Sequence, residues 1–173
     1  MKYGYFDDPI ELAPWAITQM QLGGMAILPQ SRSDGLQPNR MIVLWPYSQV
    51  DDERLELYDD VILLHGRATE EAFKIGNYNS NGWIAYAMQN ALFVKRFSID
   101  STNRYPDMGC NVEAYVKDSF VELETLGPLT TLEPGANVTF EETWEVHAGR
   151  YPLTLETSRT LCEHLSLLSN EME

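Results

Sequence analysis

The stretch YPDMGCNVEAYVKDSFVELETLGPLTTLEPGANVTFEETW, from Tyr105 to Trp144, decides the predicted fold because it reads as three successive β-strands. Its run FVELET alternates strictly. Since side chains two residues apart share one face of a strand, Glu122 and Glu124 should lie opposite Val121 and Leu123. The run therefore predicts a strand with one face suited to a core and one polar face suited to an open cleft.

The preceding run, NVEAYV, repeats this pattern, since Glu113 and Tyr115 alternate with Val112, Ala114 and Val116. Carboxylates beside aromatic rings suit a sugar, because sugar hydroxyls donate to carboxylates and sugar C–H faces pack on rings. The same pattern is also typical of a solvated strand face in an acidic protein. Both interpretations stay open on the sequence alone.

Size and charge limit the classes of function. The chain has 173 residues, which is the size of one domain, and 44% of them are hydrophobic, so it can bury a substantial core. The net charge of −14 argues against nucleic acid and anionic membranes as partners, because both require clustered Lys and Arg.

No apolar run approaches the roughly 20 residues of a membrane span. Residues 1–8 (MKYGYFDD) lack the apolar core of a signal peptide, so we expect a cytoplasmic protein.

At least eight segments have strand character and predict an all-β protein, a large antiparallel β-sandwich. The clearest feature is a β-hairpin in which the turn Gln89-Asn90 joins Trp83–Met88 to Ala91–Phe97. Three further predictions are a strand over Asn137–Val146, a helical turn over Thr69–Phe73 and an Asn/Gly-rich loop over Ile75–Gly82.

The pattern changes after residue 149. Leu161, Leu165 and Leu168 recur at helical spacing, and Ser or Thr is placed to cap a helix that begins at Thr157 or Ser158. This predicts a short amphipathic C-terminal helix that docks on the sheet or on a partner. We accordingly divide the chain into a β-sandwich domain over residues 1–150 and a helical tail over residues 151–173.

Motifs for metals and cofactors are not found in the sequence. His65, His147 and His164 stand on separate segments without metal-ligand spacing, so no metal is expected. Cys110 and Cys162 are expected as free thiols in a reducing compartment, with a single disulfide as the alternative. No phosphate-binding loop occurs, and we expect no cofactor.

The run LETLGP, followed by LEPG and a closing strand, resembles the end of the aldose 1-epimerase (galactose mutarotase-like) superfamily. From about Ile10 to about Val146 the chain resembles an uncharacterised branch of that superfamily. The stretches that carry this resemblance are ELAPWAITQM, GGMAILP, IVLWPY, FKIGNYNSNGWIAY, LFVKRF, YPDMGCNVEAY and VELETLGPLTTLEPG.

The resemblance implies part of a mutarotase-like supersandwich, with Glu124 at the position of the catalytic glutamate. The strand that carries a general-acid histidine in that superfamily matches Trp15–Thr18 (WAIT), which contains no histidine. Because the superfamily fold is built from a longer chain, the sequence predicts either a fragment or a homodimer that completes the sheets. We favour the homodimer.

The candidate function is carbohydrate binding, with cofactor-independent sugar epimerisation or mutarotation as the candidate reaction. Anomer interconversion needs a base for the C1 hydroxyl and an acid for the ring oxygen. Glu124 is the candidate base, and Glu122, on the same face ~7 Å away, is the second candidate catalytic residue, because like charges at this distance raise the pKa of one of the pair. Candidate substrate contacts are Trp45, Lys74, Trp83, Tyr86, Lys95, Tyr105, Asp107 and Glu113.

Two alternatives remain for this surface. It can bind carbohydrate without chemistry, or it can serve as a structural or subunit interface. For Lys74 and Lys95, charge balance with neighbouring acids is as good an interpretation as substrate binding.

Overall fold

The computed structural model describes residues 7–31 and 34–170. In these ranges the chain forms thirteen β-strands and one α-helix. The strands are β1 Ile10–Leu12, β2 Trp15–Gln21, β3 Met25–Pro29, β4 Ile42–Leu44, β5 Leu55–Leu57, β6 Val61–His65, β7 Phe73–Asn77, β8 Trp83–Met88, β9 Ala91–Phe97, β10 Val112–Lys117, β11 Phe120–Leu126, β12 Thr130–Leu132 and β13 Glu142–Ala148. The helix is α1 Leu155–Asn170.

The strands form two large antiparallel sheets and a small ribbon. Sheet I has five strands in the order β2-β11-β10-β7-β4, and sheet II has six in the order β13-β9-β8-β3-β6-β5. β1 pairs with β12 in a separate two-stranded ribbon. The predicted all-β sandwich is confirmed, whereas the supersandwich stays a prediction.

The main core lies between sheets I and II. Sheet I contributes Ile75, Ala114 and Leu123, and sheet II contributes Ile62 and Phe93 among others. As the alternation predicted, Val121 and Leu123 of β11 enter this core. Glu122 and Glu124 consequently lie on the outer face of sheet I.

The predicted hairpin is confirmed at its predicted bounds, since β8 and β9 pair from Trp83 opposite Arg96 to Met88 opposite Ala91. Three local predictions were wrong in whole or part. Residues 69–72 form no helical turn: the Thr69 hydroxyl donates to the Glu71 carbonyl and β7 begins directly afterwards. The loop expected from Ile75 begins only after Asn77, because Ile75 packs in the core. The last strand begins at Glu142 instead of Asn137.

The helix packs on the outer face of sheet II and so gives that sheet a second core. Leu165 of α1 packs there in a cluster with Met25, Ile27, Trp83 and other sheet residues. The Thr154 hydroxyl accepts a hydrogen bond from the Thr157 amide at the start of the helix, as expected of a cap. The predicted helix is confirmed but begins two residues earlier than Thr157; the side chain of Leu168 lies outside the described structure.

Hydrogen bonds from two arginines hold the helix on sheet II. Arg159 of α1 donates two hydrogen bonds to the Asp60 carboxylate, at 2.7 and 3.0 Å. Arg96 of β9 donates to the Leu165 carbonyl at 3.2 Å. Sheet II is therefore covered on both faces, while the outer face of sheet I carries the exposed side chains of Trp15 and Ile17. Within the described ranges, α1 is too short and too polar to cross a membrane.

Replacing Leu165 with alanine should lower the free energy of unfolding by about 2–5 kcal/mol, because the side chain is 2% exposed and its loss leaves a cavity against sheet II. Chemical denaturation measures this change. Leu167→Ala, at a helix position that is 65% exposed, is the matched control and should change stability by less than about 0.5 kcal/mol. Equal effects of the two substitutions would contradict the described docking of the helix.

Candidate functional site

The register of sheet I places two glutamates side by side on its outer face. Glu113 of β10 lies directly opposite Glu124 of β11 on one side and opposite Gly76 of β7 on the other. Lys74, two residues before Gly76, reaches both carboxylates from β7. We call these three charged residues the Lys74 cluster.

Gly76 makes room for this cluster. A Cβ atom at residue 76 would lie 2.7 Å from Cys110 Sγ, which is closer than real side chains approach, and 3.2 Å from Glu113 Cγ, which is a tight contact. The glycine therefore leaves room for the Glu113 side chain and the buried Cys110 thiol.

The Lys74 ammonium bridges the two carboxylates. Its Nζ lies 2.7 Å from Glu113 Oε2 and 2.8 Å from Glu124 Oε2, and both glutamate side chains are almost completely buried. It donates a hydrogen bond to Glu124, while its contact with Glu113 is an ion pair without good hydrogen-bond alignment. The Trp15 indole N–H also donates to Glu124 Oε2, at 2.7 Å.

Aromatic rings surround the ammonium on the solvent side. The centroids of Trp45 and Trp15 lie 4.6 and 5.2 Å from Lys74 Nζ, within the range of cation–π attraction. Ser48 fixes the loop that carries Trp45, because its hydroxyl donates to the Lys74 carbonyl and accepts from the Lys74 amide. On the same face, the exposed Tyr47 ring lies edge-on to that of Tyr115 at 6.5 Å.

Three carboxyl oxygens of the cluster are buried without a hydrogen-bond partner among the residues that the structure describes: Glu113 Oε1, Glu113 Oε2 and Glu124 Oε1. Of these, Glu113 Oε2 lies within ion-pair distance of Lys74. A buried carboxylate oxygen without a donor is unfavourable by roughly 1–3 kcal/mol or more. Glu124 Oε1, which has neither a hydrogen bond nor an ion pair, therefore calls for a donor from solvent or from a ligand.

The surroundings of Glu113 favour its protonated form. Burial is the main cause that raises the pKa of Glu113 to about 8; the charge of Glu124 and the contact with the Asp107 carboxyl act in the same direction, and Lys74 opposes them. Burial acts to lower the pKa of Lys74, but the two carboxylates outweigh it and the pKa is raised. The cluster thus favours the protonated form of Glu113 beside a charged Lys74 ammonium.

A strained loop brings Asp107 to Glu113. Asp107, Met108 and Gly109 all have positive φ angles, of 47°, 64° and 107°. The first two are L-residues, for which this conformation is unfavourable, and such strain is often found at functional sites. The amides of Gly109 and Cys110 both donate to the Pro106 carbonyl, at 2.8 and 2.9 Å, and so hold the loop closed.

An open cleft of about 410 Å³ adjoins this loop. It is lined by Met41, Tyr78, Asn103, Arg104, Tyr105, Met108 and Gly109. Tyr105, which the sequence predicted as a sugar platform, belongs to this cleft: its ring contacts Tyr78 edge-on, and its hydroxyl accepts from the Asp100 amide.

The structure thus brings together five of the predicted site residues and separates the others. Trp45, Lys74, Asp107, Glu113 and Glu124 surround the Lys74 cluster. Glu122, predicted as the acidic neighbour of Glu124, is half-buried on the same face and accepts from Gln19 at 3.2 Å. The acid beside Glu124 is instead Glu113, because cross-strand neighbours lie closer than residues two apart on one strand.

Trp83 and Tyr86 do not face this site, contrary to the sequence-based expectation. Both are fully buried. Trp83 packs beneath α1 on the outer face of sheet II. Tyr86 lies between the sheets, where its hydroxyl donates to the Gln21 carbonyl and accepts from the Gly24 amide. In these positions the two rings pack in the hydrophobic cores of the protein.

Lys95 also lies apart from the cluster. It is fully buried between the sheets, with its Nζ 2.9 Å from Glu142 Oε1. It donates to the Ala16 and Leu123 carbonyls of sheet I, so it links the two sheets. Burial is the main cause that lowers its pKa, against the effect of Glu142. Of the two interpretations for this lysine, the structure favours charge balance.

Sequence reasoning missed Trp15 and Tyr47. Trp15 begins β2, where alternation in WAITQMQ places it on the same face as Ile17 and Gln19, so the signal was present. It could not be assigned to the Lys74 cluster without knowing that β2 pairs with β11.

Comparisons with known proteins give no family assignment: neither the family models, nor the curated proteins, nor the solved structures that were compared include a match to this chain. Across residues 7–31 and 34–170, no group of three or more His, Cys, Asp or Glu side chains is arranged to hold a metal ion.

The proton on Glu113 predicts a pH dependence of stability. Because its pKa is about 8 in the folded protein and near 4.5 when unfolded, the folded state binds the extra proton between these values. Its contribution to stability is complete below about pH 4.5 and is lost as the pH rises through 8. Glu113→Gln keeps a neutral side chain and should remove this loss. Urea denaturation of both proteins from pH 4.5 to 9 measures it; a difference in unfolding free energy that stays constant over this range would contradict the assignment.

Proposed function

We propose that the outer face of sheet I binds a carbohydrate at the Lys74 cluster and that Glu124 acts there as the base in anomer interconversion. The observation that supports this most strongly is the buried carboxylate oxygen Glu124 Oε1, which lacks a donor within the described residues. A sugar hydroxyl is a donor of the required kind.

The aromatic surroundings agree with this ligand class. Trp15 and Tyr47 are exposed beside the cluster and offer flat apolar surfaces to sugar C–H groups. Lys74 adds a donor for a ring or hydroxyl oxygen. Because Glu124 and Asp107 supply negative charge here and the chain carries a net charge of −14, an uncharged sugar is favoured over a uronic acid.

Access to Glu124 requires movement of Trp15. The Trp15 indole N–H donates a hydrogen bond to Glu124 Oε2, and its ring lies over the Lys74 ammonium. The side chain is 57% exposed and lies at the start of an edge strand, so it can turn aside without disturbing the core. A sugar hydroxyl would then replace the indole as donor.

The proposed reaction starts at the anomeric carbon. Glu124 accepts the proton of the C1 hydroxyl, and an acid protonates the ring oxygen as the ring bond breaks, which gives the open-chain aldehyde. A positioned base of this kind contributes roughly 10²–10⁴-fold to the rate. The resemblance of the LETLGP run to the aldose 1-epimerase superfamily supports the same residue for this role.

Carbohydrate binding without chemistry is the second candidate function. It is favoured by the two hydrogen bonds that Glu124 Oε2 already accepts, from Trp15 and Lys74, because these donors occupy the oxygen that would take a proton from the sugar. A subunit interface on the same face, with the exposed Trp15 and Ile17 covered by a second copy, would accompany the homodimer expected from the sequence, which stays a prediction.

Sugar binding should change tryptophan fluorescence through Trp15. Titration with D-glucose or D-galactose should shift the emission of the wild-type protein as the indole leaves Glu124, and Trp15→Phe should lose most of this shift. Trp144→Phe is the matched control, because Trp144 is 59% exposed and also donates to a glutamate, but on sheet II. A full shift in Trp15→Phe would place the binding elsewhere.

Glu124→Gln separates binding from chemistry. Loss of a charged acceptor should weaken sugar binding by about 10- to 100-fold in calorimetric titration, following the value of a hydrogen bond to a charged group. It should also abolish the acceleration of mutarotation that polarimetry detects for the wild-type protein. Weakened binding without any wild-type acceleration would favour the non-catalytic function; unchanged binding would contradict both.

A further inference from the structure

We propose that Glu113 is the general acid of this reaction and that Asp107 is a positioning residue that keeps the proton on Glu113. The inference rests on the proposed function and adds the acid that the sequence did not identify, since no histidine occurs in the WAIT segment.

The first argument is the placement of two carboxyl groups on neighbouring strands. Glu113 and Glu124 are directly opposite in the antiparallel pair β10–β11, where Cβ atoms lie about 4.5–5.5 Å apart. The C1 hydroxyl and the ring oxygen of a sugar are bonded to one carbon. A base and an acid that project from adjacent positions on one sheet face can therefore contact both oxygens from the same side.

The second argument is burial without a donor. Glu113 is completely buried, and its Oε1 has no hydrogen-bond partner within the described ranges. A structural salt bridge would normally satisfy both oxygens. Here Lys74 contacts only Oε2, and Oε1 is left buried without a partner.

The third argument is the supply of the proton. The charged or titratable groups that face Glu113 are Lys74 on β7, Glu124 on β11, Asp107 and Cys110 in the preceding loop, and Tyr47 after β4. Burial, Glu124 and Asp107 raise the pKa of Glu113, and Lys74 lowers it. The Cys110 thiol does not compete for the role, because burial raises its pKa to about 12.

The fourth argument is the strained backbone of the loop that carries Asp107. Its positive φ angle, shared by Met108 and Gly109, is unfavourable for the fold, yet it places the Asp107 carboxyl near enough to Glu113 to raise the pKa of Glu113. From this position Asp107 favours the protonated form of Glu113 over the ionised form.

The proton transfers balance over the cycle. Glu113 gives its proton to the ring oxygen while Glu124 takes the proton of the C1 hydroxyl; the C1–ring oxygen bond breaks and C1 becomes a carbonyl carbon. After rotation about C1–C2, the hydroxyl formed from the ring oxygen attacks the other face of C1. It returns its proton to Glu113 as Glu124 returns the other to the carbonyl oxygen, and both residues are restored.

The test is the pH dependence of D-galactose mutarotation by polarimetry. The wild-type rate should fall as the pH rises and Glu113 loses its proton. Glu113→Gln should reduce the rate by about 10²–10⁴-fold and remove this fall, while calorimetry shows galactose binding retained. Asp107→Asn should move the fall to lower pH, because Asp107 is one of the groups that raise the pKa of Glu113. Glu122→Gln, on the same face, is the control and should keep the wild-type profile.

The outcomes distinguish the two proposals. If the wild-type protein accelerates mutarotation and Glu113→Gln retains its rate and pH profile, the acid is wrong while the proposed function stands. If galactose neither binds nor mutarotates faster, both are overturned. Should Glu113→Gln not fold, infrared titration of the wild type decides: a protonated carboxyl band that persists at neutral pH and shifts in Asp107→Asn supports Glu113, and its absence overturns the proposal.

Discussion

The outer face of sheet I depends on one buried cation. Taking the Lys74 ammonium out of water is unfavourable by several kcal/mol, and only the nearby carboxylates and indoles offset it. Two acids around one lysine leave an excess of negative charge if both are ionised. The excess is relieved when Glu113, whose pKa is raised chiefly by burial, keeps a proton. The electrostatics of the site follow from this imbalance.

The register of the strands keeps the two glutamates and Lys74 together. The cluster exists because β10 pairs with β11 so that Glu113 faces Glu124, and with β7 so that Gly76 leaves space beside Glu113. A slip of one residue in either pairing would turn these carboxylates into the core. The apolar residues Leu123 and Ala114 prevent such a slip, because it would expose them in exchange.

The sequence predicted the β-architecture well because alternation is a local signal. FVELET and the hairpin Trp83–Met88/Ala91–Phe97 were assigned correctly, since each shows its two faces within a few residues. Period-two spacing shows which residues share a face of a strand, but it does not show whether that face is exposed. Trp83 and Tyr86 were misplaced because both faces of sheet II are buried, one against sheet I and the other beneath α1. The same limit explains why Glu122 was taken as the partner of Glu124: the neighbour across the strand is visible only after the strands are paired.

The helix also divides the molecule into a structural half and a free half. With α1 on sheet II, that sheet has a core on either side and carries much of the packing that stabilises the fold. Sheet I has its core on the inner side alone, so its outer residues contribute less to folding. Evolution can therefore exchange Trp15, Gln19 or Tyr47 for other side chains, and so change the chemistry of this surface, while the scaffold beneath it stays intact.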